Sequence, residues 1–219
     1  MSPPPTFGIT DYLPRAFALS GTSEAKTFYD EWAGAYDTDI NSVGYASPRR
    51  AVEAIIDNLS TSLSCNNKLR ILDAGCGTGL VGDCLTRSSL AGKFELDGVD
   101  LSEGMLSVAR KKGVYRHLDI ADLTKGIEKE DGGYDVVVCV GTLTKGHVGA
   151  EVLGEFARLT REGGLVVATV HEGVWESGGF EGVIGDLKDK GIVDVVGLGG
   201  FGILEEESTG GRMVVLRRA

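Results

Sequence analysis

The stretch Ile71-Leu72-Asp73-Ala74-Gly75-Cys76-Gly77-Thr78-Gly79 constrains the fold more than any other part of the chain. An apolar run ends in an acid, passes through three glycines at alternate positions, and continues into a helical pattern from about Leu80 to Thr86. Glycines in such a turn let a ligand approach the backbone, and the helix start offers unpaired N–H groups. The turn therefore points to an α/β protein that holds a nucleotide-like ligand. A competing frame, Gly77-Thr78-Gly79-Leu80-Val81-Gly82, fits the dinucleotide fingerprint GxGxxG. In that fingerprint the first glycine follows the strand directly, whereas here Ala74-Gly75-Cys76 intervene.

Apolar runs and helical segments alternate after the turn. LRILDA, FELDGVD, VYRHL, YDVVVCV, GLVVATVH, IVDVVGL and RMVVLRR read as strands. Helices are expected at Ser102 to about Lys112, Ala150 to Thr160 and Phe180 to Lys190, with Ser102 as an N-cap. Such alternation implies a mostly parallel sheet covered on both faces, and the last two strands read as an antiparallel edge. Before it, Ser23 is placed to cap a helix over Glu24 to Tyr36. Ser47 and Pro48 open a second helix. Residues 1 to about 20 lack periodicity and are expected to form a mobile tail. Residues 21–219 are expected to form one domain: helices over 21–66 that cover the ligand, then the core over 67–219.

Asp73 stands at the strand end, where it would repel a pyrophosphate. It suits a ligand with an ammonium group and no pyrophosphate, such as S-adenosylmethionine. Asp100 ends the second strand, where an acid accepts hydrogen bonds from both ribose hydroxyls. Met105 follows on the next helix, placed to pack on an adenine. Asp119-Ile120 follows the third strand, where a carboxylate would accept a hydrogen bond from an exocyclic amine.

DAGCGTG, VDLSEGML, LDIADL and YDVVVCVGTLT resemble the successive motifs of class I S-adenosylmethionine-dependent methyltransferases. FYDEWAGAYDTDI, ILDAGCGTGLVG and GTLTKGHVG more narrowly resemble the Williams–Beuren-region methyltransferase-like family. The resemblance implies a Rossmann-like α/β fold: a seven-stranded sheet of order 3-2-1-4-5-7-6, the last strand antiparallel, with helices on both faces. It implies that Asp73, Gly75, Gly77 and Gly79 hold the methionine part, with Cys76 and Leu80 beside them. Asp100 and Leu101 would take the ribose, and Met105, Asp119 and Ile120 the adenine. Cys139, Val140 and Gly141 would line the floor, with Tyr36 closing over the ligand.

His147 lies in the loop after the fourth strand, which this topology sets beside the transferred methyl group. Two readings stand for it: a base that takes the acceptor's proton or orients the acceptor, and a residue that only caps its loop. Tyr45, His171 and Trp175 are candidates for the acceptor pocket, which the region from Gly173 onward would shape. Cys76 and Cys139 read as small apolar fillers.

The net charge of −10 and the absence of a basic stripe weigh against nucleic acid and anionic membranes as partners. Four cysteines without CxxC or His/Cys metal spacing read as reduced thiols and no metal site. No signal-like or spanning apolar stretch is present in the sequence, and a cytoplasmic monomer or homodimer is expected. The main reading is methyl transfer to a small molecule, oxygen ahead of nitrogen. The alternatives are a methyltransferase fold that binds S-adenosylmethionine for another reaction such as a cyclisation, a protein or RNA methyltransferase, and, in the GTGLVG frame, a dehydrogenase.

Overall fold

The computed structural model describes residues 9–16, 18–19, 21–59 and 68–219. Three helices come first: α1 (Ile9–Ala16), α2 (Thr22–Ser42) and α3 (Ser47–Asn58). They are followed by β1 (Leu69–Ala74), α4 (Leu80–Thr86), β2 (Phe94–Asp100), α5 (Glu103–Lys112), β3 (His117–Ile120) and β4 (Tyr134–Leu143). The chain ends with α6 (Val152–Leu159), β5 (Thr160–His171), α7 (Glu172–Trp175), α8 (Phe180–Asp189), β6 (Val193–Gly202) and β7 (Gly210–Arg218).

The strands form one sheet in the order β3-β2-β1-β4-β5-β7-β6. β1 to β5 pair in parallel, and β7 is antiparallel to both its neighbours. This is the order expected above. The central strands are buried on both faces, so their apolar runs are nearly continuous. Successive residues point to opposite layers. Ile71, Val136, Val138, Leu165 and Val167 pack with α3 and α4, while Leu72, Val137, Cys139, Val166 and Ala168 pack with α6 and α8.

α5 forms where its signals place it. Ser102 Oγ accepts from Met105 N at 3.1 Å, and Gly113 ends the helix with φ 68° after Arg110, Lys111 and Lys112. Elsewhere the boundaries move. α2 runs six residues past Tyr36 to Ser42, and no side chain caps its start. β3 covers His117–Ile120, later than the VYRHL run. Ile9–Ala16, read from sequence as part of the tail, is a helix. Its Tyr12 stacks on Trp32 of α2, with ring centroids 4.8 Å apart and an interplanar angle of 7°. A single aromatic in a short segment has no period to read, and the partner that fixes it is remote in sequence. Residues 1–8 lie outside the described residues.

α2 is clamped over the C-terminal ends of the strands by two carboxylates one heptad apart. Asp30 Oδ1 accepts from Ser102 Oγ at 2.6 Å and from Gly104 N at 2.9 Å, at the start of α5. Asp37 accepts from the Thr78 hydroxyl and pairs with Lys112 Nζ at 2.8 Å. A Cβ at Gly104 would stand 2.9 Å from Asp30 Cα, so only glycine permits this approach. At the far side, the loop between β6 and β7 is tied to α3. Arg50 donates to the carbonyls of Gly202, Glu205 and Glu207, and Arg49 Nη2 reaches Glu205 at 2.7 Å. Among the described residues no helix is long and apolar enough to cross a membrane.

Candidate active site

The glycine turn after β1 divides into two functions. Gly75, Gly77 and Gly79 all have positive φ, 77°, 53° and 91°. Gly75 and Gly77 line a cavity at the strand ends. A Cβ at Gly77 would meet nothing within 4 Å, which leaves a cradle open to a ligand. Gly79 and Gly82 instead face Tyr115: a Cβ at either would stand 2.9 Å from its ring, as would one at Gly98. Three glycines thus make the seat of one tyrosine, whose hydroxyl donates to Asp73 Oδ2 at 2.7 Å. The last glycine of the competing GxGxxG frame, Gly82, therefore seats a side chain.

Asp73 lies behind the turn, fully buried, and its Oδ1 has no hydrogen-bond partner. Burial pushes its pKa up to about 7; the Tyr115 hydrogen bond opposes this, and the charge of Asp100 adds to it. Asp100 reaches the cavity wall. Its Oδ2 accepts from Gly77 N at 2.8 Å and its Oδ1 from Ser102 N at 2.9 Å. Burial pushes its pKa up as well, against those backbone hydrogen bonds. A cationic ligand would hold both carboxylates in the charged form. The orphaned Asp73 oxygen, the open cradle at Gly77 and the two buried acids fit S-adenosylmethionine, which carries an ammonium and a sulfonium.

Tyr36, Leu101, Met105, Val140 and Gly141 also stand on this wall. Several expected residues do not. Asp119 turns outward, its side chain 55% exposed and paired with Lys129 Nζ at 2.7 Å, and Ile120 is 57% exposed. Ala121, Asp122 and Leu123 take that part of the wall instead. Ala121 N donates to Asp100 O at 3.0 Å, which turns the chain into the cavity after β3 ends. Although burial opposes it, the Asp122 carboxyl is held below the usual range by hydrogen bonds from Thr124 and Lys125. Of the two acids in LDIADL, Asp122 lines this cavity and Asp119 does not.

Cys76 packs on Gly98, Cys139 is wholly buried beneath the floor, and Leu80 packs with the α1–α2 cluster. Burial raises both thiols, Cys139 to about 12, so they stay neutral. Trp175 stacks on Phe180 at 5.9 Å with Arg212 over its ring at 5.1 Å. It belongs to the main core, away from both cavities.

His147 is placed by two hydrogen bonds. Its Nδ1 lies 2.8 Å from Lys145 O, and its Nε2 lies 3.0 Å from Tyr29 Oη. A carbonyl only accepts, so in the neutral ring Nδ1 carries the hydrogen and Nε2 accepts from the tyrosine. Burial lowers the pKa of His147, with the Lys145 carbonyl opposing. Tyr29 was legible only as part of an aromatic helical face, and its pairing needs the loop and α2 brought together.

A second cavity, of about 380 Å³, lies against the first. Tyr29, Tyr36, Gly141 and His147 stand on both walls. Tyr45 and His171 line the second cavity, together with Thr144 and residues of the β6–β7 loop. The Tyr45 hydroxyl lies so close to Gly141 that a Cβ there would be 2.7 Å from it. Burial pushes Tyr45 up to about 12, with a Ser47 hydrogen bond opposing, so it stays a phenol. His171 Nδ1 accepts from Gly173 N at 3.0 Å and opens α7.

The sheet order, the glycine turn and the buried acids have the pattern of the class I S-adenosylmethionine-dependent methyltransferase fold, and the chain is similar to members of that family. Residues 71–164 match the family model described as Methyltransferase domain. Methyltransferase-like protein 27 of Homo sapiens is 37% identical over 155 residues, 70% of this chain and 60% of that protein. Ubiquinone biosynthesis O-methyltransferase of Bordetella bronchiseptica is 33% identical over 104 residues, 44% of this chain and 40% of that protein. The chain thus spans 60% or less of these two relatives. The structure of magnesium protoporphyrin IX methyltransferase from Synechocystis PCC 6803, with bound S-adenosylhomocysteine, matches with a TM-score of 0.62. At 16% identity over 90% of this chain and 99% of that one, it shows the shared fold.

Proposed function

We propose that this protein transfers the methyl group of S-adenosylmethionine to an oxygen atom of a small molecule. The observation that carries the reading is His147, which stands on the walls of both cavities with Nε2 as its acceptor nitrogen. When bound, S-adenosylmethionine supplies an electrophilic methyl on a sulfonium. The chain's own residues do the rest. Gly75, Gly77 and Asp100 hold the ligand, and Tyr29 and Tyr36 on α2 cover the junction and exclude water. An acceptor hydroxyl in the second cavity replaces Tyr29 at Nε2 of His147, which removes its proton as the oxygen–methyl bond forms. Burial supports this role by keeping the imidazole neutral near pH 7. The bacterial relative is an O-methyltransferase, which supports oxygen as the methylated atom.

The test is transfer of labelled methyl from S-adenosylmethionine into a host-cell extract fractionated by size. Label in the small-molecule fraction is the expected result. Label confined to protein or RNA would overturn the acceptor class.

A further inference from the structure

The second cavity carries information about what fills it. Its volume of about 380 Å³ lies at the small end of ligand sites, room for one or two rings. Trp32, Tyr36, Tyr45 and Phe201 contribute aromatic side chains to its wall. Among the described residues that line it, none is Lys or Arg. The cations that anchor the covering loop are engaged elsewhere: Arg49 with Glu205 and Glu53, Arg50 with backbone carbonyls. Among the described residues Glu207 is the one carboxylate on the wall; it is exposed to solvent, which places it at the mouth. Its Oε2 accepts from Leu204 N at 3.2 Å, which fixes the side chain. Thr144 also lines the cavity, and its hydroxyl oxygen is buried without a hydrogen-bond partner.

Resting on the methyl-transfer reading above, we infer that the acceptor is an aryl alcohol without negative charge, selected at the cavity mouth by Glu207. The ring lies among the aromatic side chains, with the reacting hydroxyl at His147. A second polar substituent meets Thr144 Oγ1. A carboxylate or phosphate on the acceptor would face Glu207 with no cation to pair with, whereas an ammonium would be attracted. The mouth is open to water, so the charge effect is modest, about fivefold between cation and anion. The aromatic walls supply most of the affinity.

The test uses the purified full chain, S-adenosylmethionine and three catechols that differ only in side-chain charge: dopamine, 3,4-dihydroxyphenylacetamide and 3,4-dihydroxyphenylacetate. Formation of S-adenosylhomocysteine gives kcat/KM for each. The expected order is ammonium, then amide, then carboxylate. Glu207→Gln, which keeps an oxygen for Leu204 N, brings the three together, and Glu207→Lys inverts the order, with cofactor affinity unchanged in both. A wild-type preference for the carboxylate, or an order unmoved by either variant, overturns the role of Glu207. If none of the three is turned over while the extract's small-molecule fraction is labelled, the aryl assignment fails and the methyl-transfer reading stands. An extract left unlabelled removes that reading and this inference with it.

Discussion

Burial acts on two side chains of the candidate site, His147 and Asp73, in opposite directions. His147 is kept neutral because its charged form loses hydration in the loop. His147→Ala is expected to lower kcat by about a hundredfold, with cofactor affinity unchanged. The acid limb of the pH profile is expected below the free-imidazole pKa of about 6.5. Steady-state kinetics with the acceptor found in the extract check both; unaltered kcat would leave His147 as a loop cap. Asp73 is a carboxyl whose pKa burial raises to about 7 in the folded chain, against about 3.9 unfolded. The folded state then holds the proton more tightly, so the stability linked to Asp73 is full below pH 4 and is lost as pH rises through 7. Asp73→Asn is therefore expected to gain thermal stability over wild type progressively between pH 4 and 8. Thermal denaturation of the ligand-free protein measures this, and a difference constant with pH would mean that Asp73 stays ionised in the fold. Neither direction is legible in sequence, because both depend on what encloses the residue.

At the scale of elements, the turn after β1 was legible in outline and misread in detail. Its glycines announce close backbone approach but not what approaches. Gly77 faces open space and Gly82 faces the Tyr115 ring. Gly82→Ala is expected to cost about 1–3 kcal/mol through overpacking, seen as a lowered Tm. Gly77→Ala meets only the strain of a left-handed backbone, about 1–2 kcal/mol, but fills the cradle. Its main effect is expected in a cofactor titration, as weakened binding. Equal cofactor affinity in the two variants would sink this division of labour. β1 and β2 were read to the residue because each has an acid at or next to its end, just before turn or cap residues, Asp73 before the glycine turn and Asp100 before Ser102. β3 was misplaced because it is an edge strand: His117, Asp119 and Ile120 are exposed, and nothing in such a run marks its register.

Across the whole molecule, the second cavity belongs to no single element. α2 supplies one wall, the loop after β4 supplies Thr144 and His147, and the β6–β7 loop supplies Phe201 and Glu207. Arg50 joins these parts by holding that loop to α3 through three carbonyls. Arg50→Ala is expected to raise KM for the acceptor several-fold and leave the cofactor dissociation constant unchanged, since the loop touches only the second cavity. Parallel titrations of the two ligands decide it; a joint loss would show that α3 and the loop support the whole fold. The sequence by itself determined the alternation of strands and helices, the glycine turn and the acids at the strand ends, because periodicity and turn chemistry are local; the sheet order came only from the resemblance to a known family. Only the tertiary structure decided which acid of LDIADL lines the first cavity, which glycines seat Tyr115, that Tyr29 meets His147, and what lines the second cavity. Those pairings join residues far apart in sequence, and the burial and charge they create exist only after the chain has closed on itself.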